Sequence, residues 1–232
     1  MSDNRKPLLV LIPTLNRHEQ VAECVKLLTT MGTGLADIIV LEGDTEIVPK
    51  VNSIPLEMIT KYKIVGVLND DMFVRTPKWD EIICSSLEGK LGLVFGRDGI
   101  REFLENERGY PLSTYQFLST EIPLTLGWIY IPELIHYCCD NGVWTLMRMA
   151  NWQPDGNISR PETGCYIYRE DLLIEHLHYN TGKTKKDETY SKSELLSERD
   201  SDVFKDYCNN RRAGDAQKLI NLINNHKLQY KW

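Results

Sequence analysis

The fold class that this chain predicts is α/β, a doubly wound, mostly parallel central sheet flanked by helices, with a helical extension at the C-terminal end. Three observations predict it. Apolar runs of strand length recur at Leu8–Ile12, Asp37–Leu41, Tyr62–Leu68 and Leu91–Phe95, and segments of helical periodicity separate them. Each run closes on polar or acidic residues, as a site on the carboxyl edge of an open sheet requires. The turn after the first run is Pro13-Thr14-Leu15-Asn16-Arg17, with no GxGxxG and no GxxxxGKS/T, which disfavours a dinucleotide site and a P-loop.

Taken in order, Leu8–Ile12 is fully apolar and stopped by Pro13, the pattern of a central parallel strand. Asn16 is placed to cap the next helix, with Glu19 three residues on, and Val21, Cys24, Val25 and Leu28 give that helix its core face. The second strand ends in Glu42-Gly43-Asp44. An irregular stretch and a short helix, about Leu56 to Lys61, precede the third strand, which ends in Asn69-Asp70-Asp71. Thr76 and Pro77 read as N-cap and first residue of a helix carrying Trp79, Ile82, Ile83 and Leu87. Beyond the fourth strand and Gly96-Arg97-Asp98 the pattern loosens. Gly109 to Gly127 reads as loop and short strand, and Pro132 opens a helix over Glu133–Asp140 that continues towards Met147. Asn151–Thr163 reads as a surface loop or insertion, and Leu172–His178 as a strand. The divisions expected are 1–190, split into a nucleotide half (about 1–100) and an acceptor half (about 101–190), and a helical extension over 191–232.

Composition narrows the function. With 232 residues, 42% hydrophobic, the chain is long enough for one generous core. No apolar stretch approaches the roughly 20 residues of a membrane span, and the first residues do not read as a secretory signal. The six cysteines form no CxxC pair, so a cysteine zinc site is disfavoured and the expected setting is reducing and cytoplasmic. A net charge of −6 argues against gripping nucleic acid by overall charge. Two local basic clusters remain, at Lys183, Lys185 and Lys186, and at Arg211 and Arg212.

Asn69-Asp70-Asp71 is the most informative segment. Adjacent carboxylates repel, and a divalent cation or a proton relieves them; a solvated turn is the plainer account. His176 and His178, two apart on an expected strand, project from one face, and imidazole with carboxylate suits manganese or a similar ion. His136 and Asp140, four apart in an expected helix, either make an ordinary surface pair or place a general base in a cleft.

Residues Asn69 through Asp80 (NDDMFVRTPKWD), Glu175-His176-Leu177-His178 followed by Gly182-Lys183 and Asp187-Glu188-Thr189-Tyr190, and Leu126-Gly127-Trp128 with His136 to Trp144 carry a resemblance in their order and spacing. From about Leu8 to Tyr190 the chain resembles the nucleotide-sugar-dependent glycosyltransferases of the GT-A fold, in the broad family-2-like group. It is most similar to a phage-associated branch of them. The resemblance implies a metal-dependent glycosyltransferase using Mn2+ or Mg2+. It would move a sugar from a nucleoside-diphosphate sugar, a UDP-sugar first, to an acceptor hydroxyl with inversion. Pro13, Thr14 and Arg17 would line the nucleotide pocket, with Glu42 or Asp44 receiving base or ribose and Asn69 and Asp70 beside them. Asp71 would bind the metal, His176 or His178 would complete its shell, and Asp140 would be the base, aided by His136. The acceptor implied is a modified DNA base or a glycan, in the host cytoplasm if the chain is phage-encoded. Asn69 stands for the first acid of a strict DxD, and Lys78 where the branch often has Gly. The alternatives are a nucleotidyltransferase of the same fold, or a non-catalytic nucleotide-sugar-binding or assembly protein.

Overall fold

The sheet is organised on β1 (Lys6–Pro13), buried from Leu8 onwards and paired in parallel with β2 (Ala36–Leu41) on one side and β3 (Tyr62–Val67) on the other. The structure, a computed structural model, describes residues 4–100, 113–150, 165–179, 182–186 and 188–229. Four further strands, β4 (Met72–Val74), β5 (Leu93–Arg97), β6 (Gln116–Ser119) and β7 (Tyr166–His176), complete a seven-stranded sheet in the order β2-β1-β3-β6-β5-β7-β4. β6 runs antiparallel to both β3 and β5, and β4 antiparallel to β7, so five strands share one direction and two oppose it. The expected parallel arrangement therefore holds for β2-β1-β3, and the sheet becomes mixed beyond it. The carboxyl ends of β1, β2, β3, β5 and β7 come together along one edge.

Two local devices set that edge. β7 bulges opposite Gly96: its register steps from Arg169 to Leu173 while β5 advances by one residue. A Cβ on Gly96 would lie 2.3 Å from the Leu172 carbonyl oxygen, so only glycine admits the bulge. The bulge brings His176 level with the end of β5, where its N–H donates to the Asp98 carbonyl (2.8 Å). The second device is β4, invisible in the sequence because three residues carry no readable period. Met72 pairs with His176, and the Leu177 N–H donates to the Asp71 carbonyl (2.8 Å), so Asp71 lies against the end of β7.

Several expected helix boundaries move. α1 (His18–Met31) buries Val21, Cys24 and Leu28 as expected, but no side chain caps it: Asn16 sits in the left-handed region (φ 55°), and Arg17 holds the N-cap position. α2 (Ile47–Asn52) lies in the stretch read as irregular, and α3 (Leu56–Ile59) follows it. α4 (Trp79–Ser86) starts after Lys78 (φ 58°), so Thr76 and Pro77 lie outside it. Thr76 is spent elsewhere, its hydroxyl accepting the Leu173 N–H (2.8 Å) and pinning β4 to β7. α5 (Glu121–Leu126) ends at Gly127 in the left-handed region, and α6 (Cys139–Ala150) buries Val143, Leu146 and Met147. The helix expected over Glu133–Asp140 does not form. Cys138 is left-handed (φ 62°), and the Tyr137 N–H goes to the Asp200 carboxylate rather than to a carbonyl one turn back.

α7 (Glu188–Glu194), α8 (Ser197–Asn210) and α9 (Arg212–Gln229) close the chain. Tyr207, Ala216, Leu219 and Ile223 are buried in the same core as the sheet, with α9 packed on α5 and α6. No disulfide joins the cysteines, and among the described residues no helix is long and apolar enough to cross a membrane. Residues 109–112 of the Gly109–Gly127 stretch, all of Asn151–Thr163, and Asp187 lie outside the described residues.

Candidate active site

A cleft of about 420 Å³ opens over the carboxyl edge, lined from all the converging strand ends. Of the residues expected from sequence, Pro13, Thr14, Arg17, Asn69, Asp70, Asp71, His136, Asp140, His176 and His178 all line it. Glu42 and Asp44 do not: both are exposed, outside the lining. The chain turns at Gly43 (φ 128°), whose carbonyl accepts Lys50 Nζ (2.8 Å), and it is Thr45 and Glu46 that reach the cleft.

The two acids are both buried but have different surroundings. Asp70 Oδ2 accepts the Thr14 hydroxyl (2.7 Å), and Oδ1 pairs with the Arg17 guanidinium (3.0 Å). Burial nonetheless leads, with Asp71 adding to it, and lifts the Asp70 pKa above the ordinary value. Asp71 Oδ2 accepts the Tyr190 hydroxyl (2.5 Å), and Oδ1 lies 3.2 Å from His176 Nε2 without a hydrogen bond. Burial works to raise the Asp71 pKa. His176, Tyr190 and Arg17 outweigh it and hold the carboxyl below the ordinary value, so Asp71 gives up its proton more readily than Asp70 does. For His176, burial favours the neutral ring, but Asp71, then Asp98 and Asp140, raise its pKa above the usual value. The Cys24 thiol beneath the pair is inert: burial, then Asp70 and Asp71, push it up to about 12.

An orphaned, buried carboxylate oxygen facing an imidazole nitrogen is a donor set for a hard or borderline divalent ion. Two ligand atoms at right angles on an ion of about 2.1 Å bond length lie about 3 Å apart, close to the separation found here. Asp71 Oδ1 and His176 Nε2 are therefore spaced as two ligands of one divalent ion would be, and the imidazole suits Mn2+ better than Mg2+. Among the described residues no three such side chains converge, so substrate oxygens and water would fill the remaining positions. His178 stands one ring away, edge-on to His176 at 5.3 Å between centroids, and packs on Tyr190 (5.0 Å). Arg17 lies over the Tyr190 ring at 4.5 Å. Tyr190 thus covers the acid pair from α7. The sequence motif contains it, but its role rests on a contact with Asp71, 119 residues away in sequence.

Asp140 opens α6, its Oδ1 accepting the Asn141 N–H (2.9 Å), and its charge bears on His176. His136 is not one turn behind it. Its loop is held by the fully buried Asp200 of α8, whose carboxylate accepts the N–H groups of Ile135 (3.2 Å), His136 (2.7 Å) and Tyr137 (2.8 Å). The His136 ring turns instead to Glu46, Nδ1 to Oε2 at 2.9 Å. Lys50, buried between the Thr14 carbonyl (2.5 Å) and the Gly43 carbonyl, ties the ends of β1 and β2 together. Burial lowers its pKa, against the pull of Glu46, Asp70 and Asp44. Nothing in the sequence marks Glu46 or Lys50, because α2 carries too little periodicity to be seen, or Asp200, because it acts on a loop more than sixty residues away.

No family model and no curated protein matches the sequence. Solved structures do match the fold. One is a mannosyltransferase from Pyrobaculum calidifontis, solved in complex with GDP-Man and Mn2+. Its TM-score is 0.54 at 11% identity, covering 98% of this chain and 77% of that one. Another is TarS of S. aureus, with a TM-score of 0.51 at 12% identity, covering 73% of this chain and 36% of that one. The likeness is one of architecture: a mixed seven-stranded sheet flanked by helices, matching glycosyltransferases of the GT-A fold.

Proposed function

We propose that this chain is a metal-dependent glycosyltransferase that moves a sugar from a nucleoside-diphosphate sugar to an acceptor hydroxyl with inversion. The observation that carries the reading is the Asp71–His176 pair, with the buried Asp71 Oδ1 facing the ring and accepting no hydrogen bond, in the lining of a cleft of about 420 Å³. The P. calidifontis enzyme, of the same fold, binds GDP-Man and Mn2+. The sequence resemblance favours a UDP-sugar, so both bases belong in the first screen.

Asp71 and His176 would hold a divalent ion, which would supply positive charge to offset the negative charge developing on the departing diphosphate. Thr14 and Arg17 fix Asp70, which keeps the second acid from competing for the same ion. Asp140 takes the proton of the acceptor hydroxyl as its oxygen bonds to the anomeric carbon. The bond from that carbon to the diphosphate oxygen breaks at the same time, and the electron pair leaves with the nucleoside diphosphate. In-line attack inverts the configuration.

The basic clusters lend a DNA acceptor little support. Lys183 pairs with Glu175 (2.6 Å), Lys186 with Glu194 (2.5 Å) and Arg211 with Glu133, so most of that charge is neutralised locally. A glycan hydroxyl is the acceptor class we favour. The test is hydrolysis of labelled UDP- and GDP-sugars in Mn2+, followed by transfer to oligosaccharides and to hydroxymethylated DNA. Hydrolysis of neither donor class, with or without Mn2+, would overturn the assignment.

A further inference from the structure

We propose that the Glu46–His136 pair reads the nucleoside of the donor, with His136 Nε2 accepting a hydrogen bond from a ribose hydroxyl. The inference rests on the glycosyltransferase reading above and deepens it. It begins with a carboxylate in an unusual position. Glu46 is the N-cap residue of α2, yet its side chain makes no capping hydrogen bond and reaches across the cleft to His136 Nδ1. Both side chains are largely buried, 28% and 19% exposed.

The loop is held at its backbone and the ring at Nδ1. The Val48 N–H of α2 donates to the Ile135 carbonyl (3.0 Å), Asp200 holds the backbone N–H of His136 itself, and Glu46 holds Nδ1. A carboxylate on one imidazole nitrogen favours the proton there and leaves the other nitrogen as an acceptor. Among the described residues Nε2 has no hydrogen-bond partner, and the ring lines the cleft. A preorganised acceptor of this kind suits a hydroxyl donor of a ligand.

Position along the edge says which part of the ligand it meets. In the order β2-β1-β3-β6-β5-β7, Asp71 lies beyond β3 against the end of β7 and Glu46 follows β2, so the end of β1 stands between them. A diphosphate anchored at Asp71 and running along this edge carries its ribose and base over β1 and β2. Asp70 is nearly fully buried and already accepts from Thr14 and Arg17, which leaves little of it open to a ribose hydroxyl. His136 supplies an acceptor. Asp140 belongs to the other end, close enough to His176 to influence it. His136 is thereby a binding residue for the donor rather than an aid to the base.

The test is calorimetric binding of UDP and GDP, and of their 2′- and 3′-deoxy analogues, in Mn2+. Wild-type protein is expected to bind the ribonucleotide about tenfold more tightly than at least one deoxy analogue, the worth of one well-placed hydrogen bond. His136→Ala should bind the two with nearly equal affinity, and His136→Gln, whose amide oxygen accepts, should restore part of the preference. Glu46→Gln, which weakens the hold on the ring, should fall between wild type and His136→Ala. Asp200 grips the backbone rather than the ring, so the His136 variants are expected to unfold within a few degrees of wild type. Discrimination retained in His136→Ala, or absent from wild type, would overturn the inference alone. Binding of neither UDP nor GDP by wild type in Mn2+ would strike the glycosyltransferase reading first.

Discussion

The two ends of the cleft are built by different means. At the Asp71 end, backbone ladders do the placing: β4 pairs with β7, Met72 lies opposite His176, and the Asp71 carbonyl takes the Leu177 N–H. At the His136 end no ladder reaches. A loop is gathered instead by one buried carboxylate, Asp200, and by contacts with α2. A ladder holds its backbone whatever the side chain, so substitution there removes chemistry and spares the fold. A loop gathered by a side chain loses position and stability together when that side chain goes.

The largest effect expected concerns turnover. Asp140→Asn keeps shape and removes basicity, so donor binding should survive while turnover falls by about 10² to 10⁴. Steady-state rates and donor affinity measured together check this. Near-normal turnover would move the base elsewhere, with Asp98 the next residue to try.

Next in size is Asp200→Ala, which sharpens the contrast between the two ends. Three backbone N–H groups lose a charged acceptor, and urea unfolding should show a loss of about 3 kcal/mol. Nucleotide affinity should weaken in the same variant. A stability cost for Asp71→Ala as large as for Asp200→Ala would break the comparison.

Smallest is the pH dependence. The His176 pKa is raised in the folded protein, so without metal its contribution to stability is complete below about pH 6.5, the unfolded value, and is lost as pH rises through the folded value. A protonated imidazole cannot ligate, so Mn2+ affinity should change the opposite way, rising by up to about tenfold per pH unit over the same window. Thermal unfolding with and without Mn2+ from pH 6 to 8.5 would show the two slopes. Parallel slopes would remove His176 from the ion.

What sequence could reveal divides along the same line as the two ends. The acids after Leu68 and the histidines at 176 and 178 were legible because their chemistry is local and a strand end is readable from its apolar run. The sequence alone leaves the two histidines open; the bulge at Gly96 and the three-residue β4 set His176 against Asp71, and both arise from pairing between distant segments. The stretch Glu133–Asp140 has helical composition, and only Asp200, sixty-odd residues on, explains why it is a loop. Glu42 and Asp44 looked right by their place after a strand. A turn at Gly43 and the Lys50 ammonium send Glu46 into the cleft in their stead.

The central claim is that Asp71 couples a divalent ion to nucleotide binding. Its most direct measurement is calorimetric titration of UDP and GDP into wild type and Asp71→Ala, each with Mn2+ and with chelator, alongside their unfolding temperatures. Wild type should bind one nucleotide strongly in Mn2+ and weakly in chelator, while Asp71→Ala binds weakly in both and unfolds within a few degrees of wild type. Equal Mn2+-dependent affinity in a folded Asp71→Ala protein would contradict the account.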